Sequence, residues 1–143
     1  MGVFVIDEQG FFADEEIEEF TRGAECALSR LMEGGEVCIT FVGDEEMREL
    51  NSRYRNLHRT TDVLSFPQEG GPAPNILGDI VISVETARRN ALRYNESLKD
   101  EVLRLIVHGM LHLLGFDHKK AAERAEMRAK ENELIQAIRD KVY

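Results

Sequence analysis

Residues 108–118 read HGMLHLLGFDH and hold three of the four histidines in this 143-residue chain. His108 and His112 stand four positions apart, and on an α-helix such a pair shares one face with Cβ atoms about 5–6 Å apart. Their imidazoles can therefore aim at one point. Gly115 is placed to end the helix in a left-handed conformation and turn the chain, which returns His118 to that point. Three neutral imidazoles with the fourth position open are the ligand set of a catalytic zinc site, whereas structural zinc is usually closed by four ligands, often cysteines. Neither Cys26 nor Cys38 lies near the histidines or in a C-x-x-C pair. The plainer alternative is a set of ordinary hydrogen-bonded core histidines. On an otherwise apolar helix an unpaired imidazole is costly, and the regular H-x3-H-x2-G-x2-H spacing favours the metal. The expectation is one Zn2+ per chain on His108, His112 and His118.

The spacing is also that of the metzincin protease signature H-E-x-x-H-x-x-G-x-x-H, with Gly109 where those enzymes carry glutamate. That glutamate is the general base of peptide hydrolysis. Glycine cannot accept a proton, so the ligand geometry is kept while the peptidase chemistry loses its acceptor. Asp117 offers a carboxylate, but beside His118 its simpler roles are to orient a ligand or to cap the next helix.

Positioning these side chains requires a buried helix. The run LRLIVHGMLHLLG is apolar nearly all round, which places it in the middle of a fold and covered on most sides. Ser97 and Asp100 form a capping-box pattern ahead of it. Upstream, Ile17, Phe20, Ala24, Ala27, Leu28 and Leu31 recur at helical spacing, predicting a helix from Asp14, as its cap, to about Glu33, stopped by Gly34-Gly35. EVCITFVG (36–43) reads as a strand, and Asp44 as the cap of a helix ending near Asn56. TDVLSFP and ILGDIVISV read as two strands around the Gly- and Pro-rich surface loop EGGPAPN, and ETARRNALRYN as a helix. VFVI (3–6) is a candidate edge strand, and a last helix from Lys119 to about Lys141 is expected against the outside. Helices interleaved with strands predict an α/β (α+β) layer fold: one domain over residues 1–143, with a mixed sheet of about four strands packed by helices and the zinc site on the central apolar helix.

With 43% hydrophobic residues, a chain of this length fills one ordinary core. No run approaches the roughly 20 apolar residues of a membrane span, and MGVFVIDEQG lacks the basic and long apolar segments of a signal peptide. A cytoplasmic location is expected, with both cysteines reduced. The net charge of −9 argues against phosphate binding until its distribution is considered. Residues 1–46 carry 13 acidic and 2 basic side chains, leaving 14 acidic and 16 basic for the rest. Between Arg48 and Arg59, with Arg53 and Arg55 among them, the one acid is Glu49, so a basic face is available on an acidic protein.

NSRYRNLHRTTDVLSFP (51–67), ILGDIVIS (76–83), HGMLHLLGFDH and the trailing EMRAKENELI follow one another between about Met47 and Ile138. Together they closely resemble the YbeY family of bacterial rRNA maturation factors, regarded as zinc-dependent single-strand endoribonucleases. The resemblance implies that His108, His112 and His118 are the zinc ligands, that Arg55 of the Y-R element is functional, and that the TDVLSFP and GDIVIS strands flank the zinc helix across a cleft. It also implies single-stranded RNA as substrate, the small ribosomal subunit as partner, and 3′-end processing of its RNA and ribosome quality control as the setting. Thr60 and Phe116 stand where family members commonly carry proline and tyrosine; both lie outside the ligand set.

The chemistry agrees with this reading. Zinc acidifies bound water and polarises a phosphoryl oxygen, and a guanidinium neutralises non-bridging oxygens with a bidentate fork. Arg55 is the best candidate for the fork, against the bare alternative of a helix-terminal arginine facing dipole and solvent. His58, Asp62 and Ser65 read as surface, turn and strand residues. Two rival functions stand beside the ribonuclease. One is a noncatalytic RNA- or ribosome-binding factor with structural zinc; the other is a metalloprotease, which Gly109 opposes.

Overall fold

The computed structural model describes residues 2–68, 76–116 and 120–142. Its elements run β1 (Val3–Ile6), α1 (Asp14–Leu31), β2 (Glu36–Val42), α2 (Asp44–Arg55), β3 (Val63–Pro67), β4 (Ile76–Ser83), α3 (Val84–Arg93), α4 (Leu98–Leu113) and α5 (Ala121–Val142). The loop sequence EGGPAPN lies outside the described residues. The strands form one mixed sheet in the order β1-β2-β4-β3. β1, β2 and β4 are parallel, and β3 pairs antiparallel with β4, with Val63 opposite Ile82 and Phe66 opposite Asp79. β3 is thus an edge strand.

Successive strand residues point to opposite faces, and β4 uses both. Ile80 and Ile82 join the large core that also contains Phe20, Leu105, Ile106 and Met110, whereas Val81 packs with Met47 and Leu64 on the α2 side. α4 lies on β3 and β4 and touches α1, α3 and α5, so it occupies the middle of its layer as its apolar sequence requires. α5 is more than an outer cover. Met127, Leu134 and Ile138, spaced along one face between the charged residues, are almost wholly buried. It starts at Ala121; Lys119, where it was expected to begin, is outside the described residues.

Two helix starts differ from expectation. The cap of α1 is Ala13, with Asp14 as the first helical residue, and the Glu16 carboxylate accepts the Ala13 N–H at 3.0 Å. The cap of α2 is Gly43, because the Asp44 carboxylate is engaged elsewhere. Its Oδ1 accepts from Ser83 Oγ at 2.7 Å and Thr86 Oγ1 at 2.6 Å, while Arg89 pairs with Oδ2 at 2.8 Å. Glu85 in turn accepts the Asp44 backbone N–H at 2.8 Å. These bonds tie the start of α2 to the start of α3. Burial alone would raise the Asp44 pKa, but the hydroxyl donors and the Arg89 charge outweigh it and bring it down to about 2. Ser83 and Ser97 cap α3 and α4, the latter accepting from Asp100 N–H as its sequence pattern predicts.

Candidate active site

Gly109 sets how closely α4 approaches the sheet. A Cβ at this position would stand 2.9 Å from Ile80 Cγ2 and 3.0 Å from Cδ1 and Cγ1. Ile80 is fully buried and β-branched, so it has little room to retreat. The position that holds the catalytic glutamate in metzincins therefore faces packed sheet here.

His108 and His112 turn instead towards a cleft of about 440 Å³, whose walls include Arg55 at the end of α2, Asp62 before β3, and Ser65 and Pro67 on it. The two imidazole centroids are 4.7 Å apart with the rings inclined at 65°. The helix ends where its sequence says it should. Gly115 has φ +97°, with Gly115 N–H bonding to His112 O and Phe116 N–H to Leu111 O, each at 3.0 Å. This is the paired arrangement of a Schellman turn. His118 and Asp117 lie outside the described residues. Among the described residues no group of three His, Cys, Asp or Glu side chains is gathered as a metal site.

The surroundings of His108 fit a metal ligand. Its Nδ1 lies 2.9 Å from Glu131 Oε1. A carboxylate can only accept, so Nδ1 carries the proton and the lone pair of a neutral ring sits on Nε2. Glu131 escapes notice in the sequence because it stands in the charge-rich stretch RAKENE. The only sequence signal for it is the trailing EMRAKENELI, which marks the segment without marking the residue.

Asp62 is also held. Asn90 Nδ2 donates to Asp62 Oδ2 and to Glu101 Oε2, both at 3.2 Å, and Glu101, wholly buried, is hydrogen-bonded to Arg104. Burial works against the charge of Arg104, but Glu101, Glu131 and Glu96 raise its pKa further above its ordinary value. Arg104 is thus bonded to the carboxylate that holds Asn90 and feels the charge of the one that orients His108. Sequence reasoning missed Asp62 in the cleft wall as a site residue and Asn90 and Glu101 as its support; beside Asp100, Glu101 reads as one more acid in the first turn of α4.

His58 lies off the cleft, exposed, with Nδ1 2.9 Å from Ser52 Oγ. A groove of about 510 Å³ over the start of α2 is lined by Glu45, Glu46, Glu49 and Glu85 against a single basic residue, Arg53, and contains neither imidazole. Its carboxylates would repel phosphate, so size alone does not mark the site. Among the described residues no helix is long and apolar enough to cross a membrane.

A family model described as endoribonuclease YbeY matches residues 8–139. The endoribonuclease YbeY of Bacillus subtilis is 37% identical over 93% of this chain and 92% of its own. That of Aquifex aeolicus is 48% identical over 74% of this chain and 72% of its own. The solution structure of TM1509 from Thermotoga maritima superposes with a TM-score of 0.70 at 26% identity, covering 95% of this chain and 88% of that one.

Proposed function

The chain belongs to the endoribonuclease YbeY family, and from that premise we propose that it is a zinc-dependent, single-strand-specific endoribonuclease. Its setting is cytoplasmic, in small-subunit rRNA 3′-end maturation and ribosome quality control. The observation that carries this reading is the shared cleft: Arg55 from α2 and the two imidazoles of α4 line one cavity. One zinc ion, held by His108, His112 and His118, would supply a Lewis acid that polarises a phosphoryl oxygen and acidifies water.

The protein's own groups have distinct tasks. Arg55 presents a planar fork to the non-bridging oxygens of a phosphodiester, which gain charge as the bond breaks. Glu131 keeps the His108 ring oriented, with Nδ1 committed to the carboxylate and Nε2 turned to the metal position. Asn90 fixes the Asp62 carboxylate in the cleft wall as an acceptor for a ribose hydroxyl or water.

The test is cleavage of a structured small-subunit rRNA fragment by metal-free protein, zinc-reconstituted protein and a reconstituted His112→Ala variant. Cleavage confined to unpaired segments and to the reconstituted parent is expected. Equal cleavage by all three would refute zinc dependence. Loss of the fold on zinc removal, without cleavage by the loaded protein, would favour a structural zinc and a noncatalytic RNA- or ribosome-binding role. Peptide hydrolysis would favour a protease, against which the closed space at Gly109 argues.

A further inference from the structure

The aromatic residue next to the cleft is placed unlike a core residue. Tyr54 and Phe66 form a T-shaped pair, with ring centroids 5.1 Å apart and planes inclined at 64°. Yet Tyr54 remains 59% exposed, and Phe66 is only partly buried at the margin of the small core under α2. The T-shaped contact is an ordinary packing geometry, shared by Phe12 and Phe20 in the core, but here it leaves most of the Tyr54 ring open to water.

Its neighbours explain what such a ring could meet. Arg55, the next residue, lines the cleft with His108 and His112, and Ser65 and Pro67, on either side of Phe66, line the same cleft. Because strand residues alternate, Phe66 emerges on the opposite face of β3, and β3 is the edge of the sheet. The pair therefore stands just over the edge strand from the cleft. Residues 51–61 carry Arg53, Arg55 and Arg59 and no carboxylate, although the first half of α2 is acidic. Arg55 brings positive charge to the cleft beside the exposed ring, while Arg53 lines the acidic groove over the start of α2.

We propose that Tyr54, supported by Phe66, is the stacking platform for an unpaired base of the RNA strand leaving the cleft past Arg55. The inference rests on the ribonuclease reading and deepens it. Every base has a π-face to offer, but one held in a duplex is already stacked on both sides, so this platform selects single strands without selecting sequence. Arg55, the next residue, meets the adjoining phosphate.

The experiment uses the full chain, metal-free so that RNA survives, titrated with short unstructured RNAs carrying 2-aminopurine at successive positions. Quenching at one position and tight binding are expected for the parent. Tyr54→Ala should bind on the order of 10- to 100-fold more weakly and lose that quench, as removal of a stacking ring typically does. Tyr54→Phe should keep most of both. Tyr54→Leu, which restores cover over Phe66 without a π-face, should behave like Tyr54→Ala in binding whatever its melting temperature. With zinc restored, the Tyr54→Ala loss should fall more on KM than on kcat, and discrimination against duplex should shrink. Parent-like affinity and quench in Tyr54→Leu would overturn the proposal, as would a Tyr54→Phe variant as weak as Tyr54→Ala. A zinc-loaded parent that cleaves no RNA would instead defeat the ribonuclease reading beneath it.

Discussion

His108 Nδ1 and Glu131 Oε1 lie 2.9 Å apart although the residues belong to different helices, 23 positions apart. The bond fixes which imidazole nitrogen faces the cleft, so its loss should be felt at the metal before it is felt in the fold. Glu131→Ala is expected to weaken zinc binding by about 10- to 100-fold, and Glu131→Gln, which keeps an acceptor oxygen, by less. Competition with a chromogenic chelator measures the affinity, and circular dichroism on the same samples checks folding. Unchanged affinity in a folded Glu131→Ala protein would remove Glu131 from the site.

Gly109 and Ile80 make the opposite case, in which packing is affected first. Gly109→Ala pushes a methyl into three Ile80 carbons and should cost about 1–3 kcal/mol of stability. Gly109→Glu should cost more and create no peptidase, since a side chain there meets the sheet. Because the clash is with one residue, pairing Gly109→Ala with Ile80→Ala should give a smaller loss than the two singles added together. Denaturant unfolding of the four proteins of that cycle decides the matter, and strict additivity would mean that position 109 is not closed by Ile80.

Gly115 and Gly109 show how much of the site could be read in the sequence. The turn at Gly115 and the helix bearing His108 and His112 follow from local pattern, because apolar periodicity and a C-terminal glycine act within a few residues of themselves. The α+β class and the mixed four-stranded sheet likewise follow from alternating strand and helix signals. Gly109 was legible as a missing base, but the close approach to β4 that makes glycine necessary comes only from tertiary packing. Glu131, Asp62 and Asn90 were hidden for a related reason: polar residues in charge-rich or loop segments look solvated until another element is packed against them. The expected cap of α2 failed on a competition. Asp44 is a good capping type, but three donors from β4 and α3 bind its carboxylate.

That competition has a pH signature. The pKa of Asp44 in the folded state, about 2, lies below its ordinary value near 4. Its contribution is therefore fully present above about pH 4 and is lost as pH falls towards about 2, amounting to roughly 2 kcal/mol. Asp44→Asn should lower stability at neutral pH and flatten the acid limb of the stability curve over that interval. Thermal unfolding of parent and variant from pH 7 to pH 2 checks it; parallel acid limbs would mean that another carboxylate controls this range.

Arg55 shares a cleft with His108 and His112 but touches the problem from the other side, as an exposed guanidinium at the end of α2. Metal binding and phosphate binding should therefore separate by mutation. Arg55→Ala should keep the zinc content and melting temperature of the parent, because the side chain is neither ligand nor core. Its cleavage rate should fall by about 2–4 kcal/mol in transition-state stabilisation, the usual cost of removing one preorganised contact to a developing charge. Arg55→Lys should regain part of this, since an ammonium keeps the charge and loses the planar fork. His112→Ala should lose zinc and activity together. Zinc stoichiometry, melting temperature and cleavage rate measured on the same preparations distinguish the two classes. A folded, zinc-loaded Arg55→Ala protein that cleaves at the parental rate would leave the arginine as solvated surface and move the search for the phosphate contact to Arg53 and Arg59.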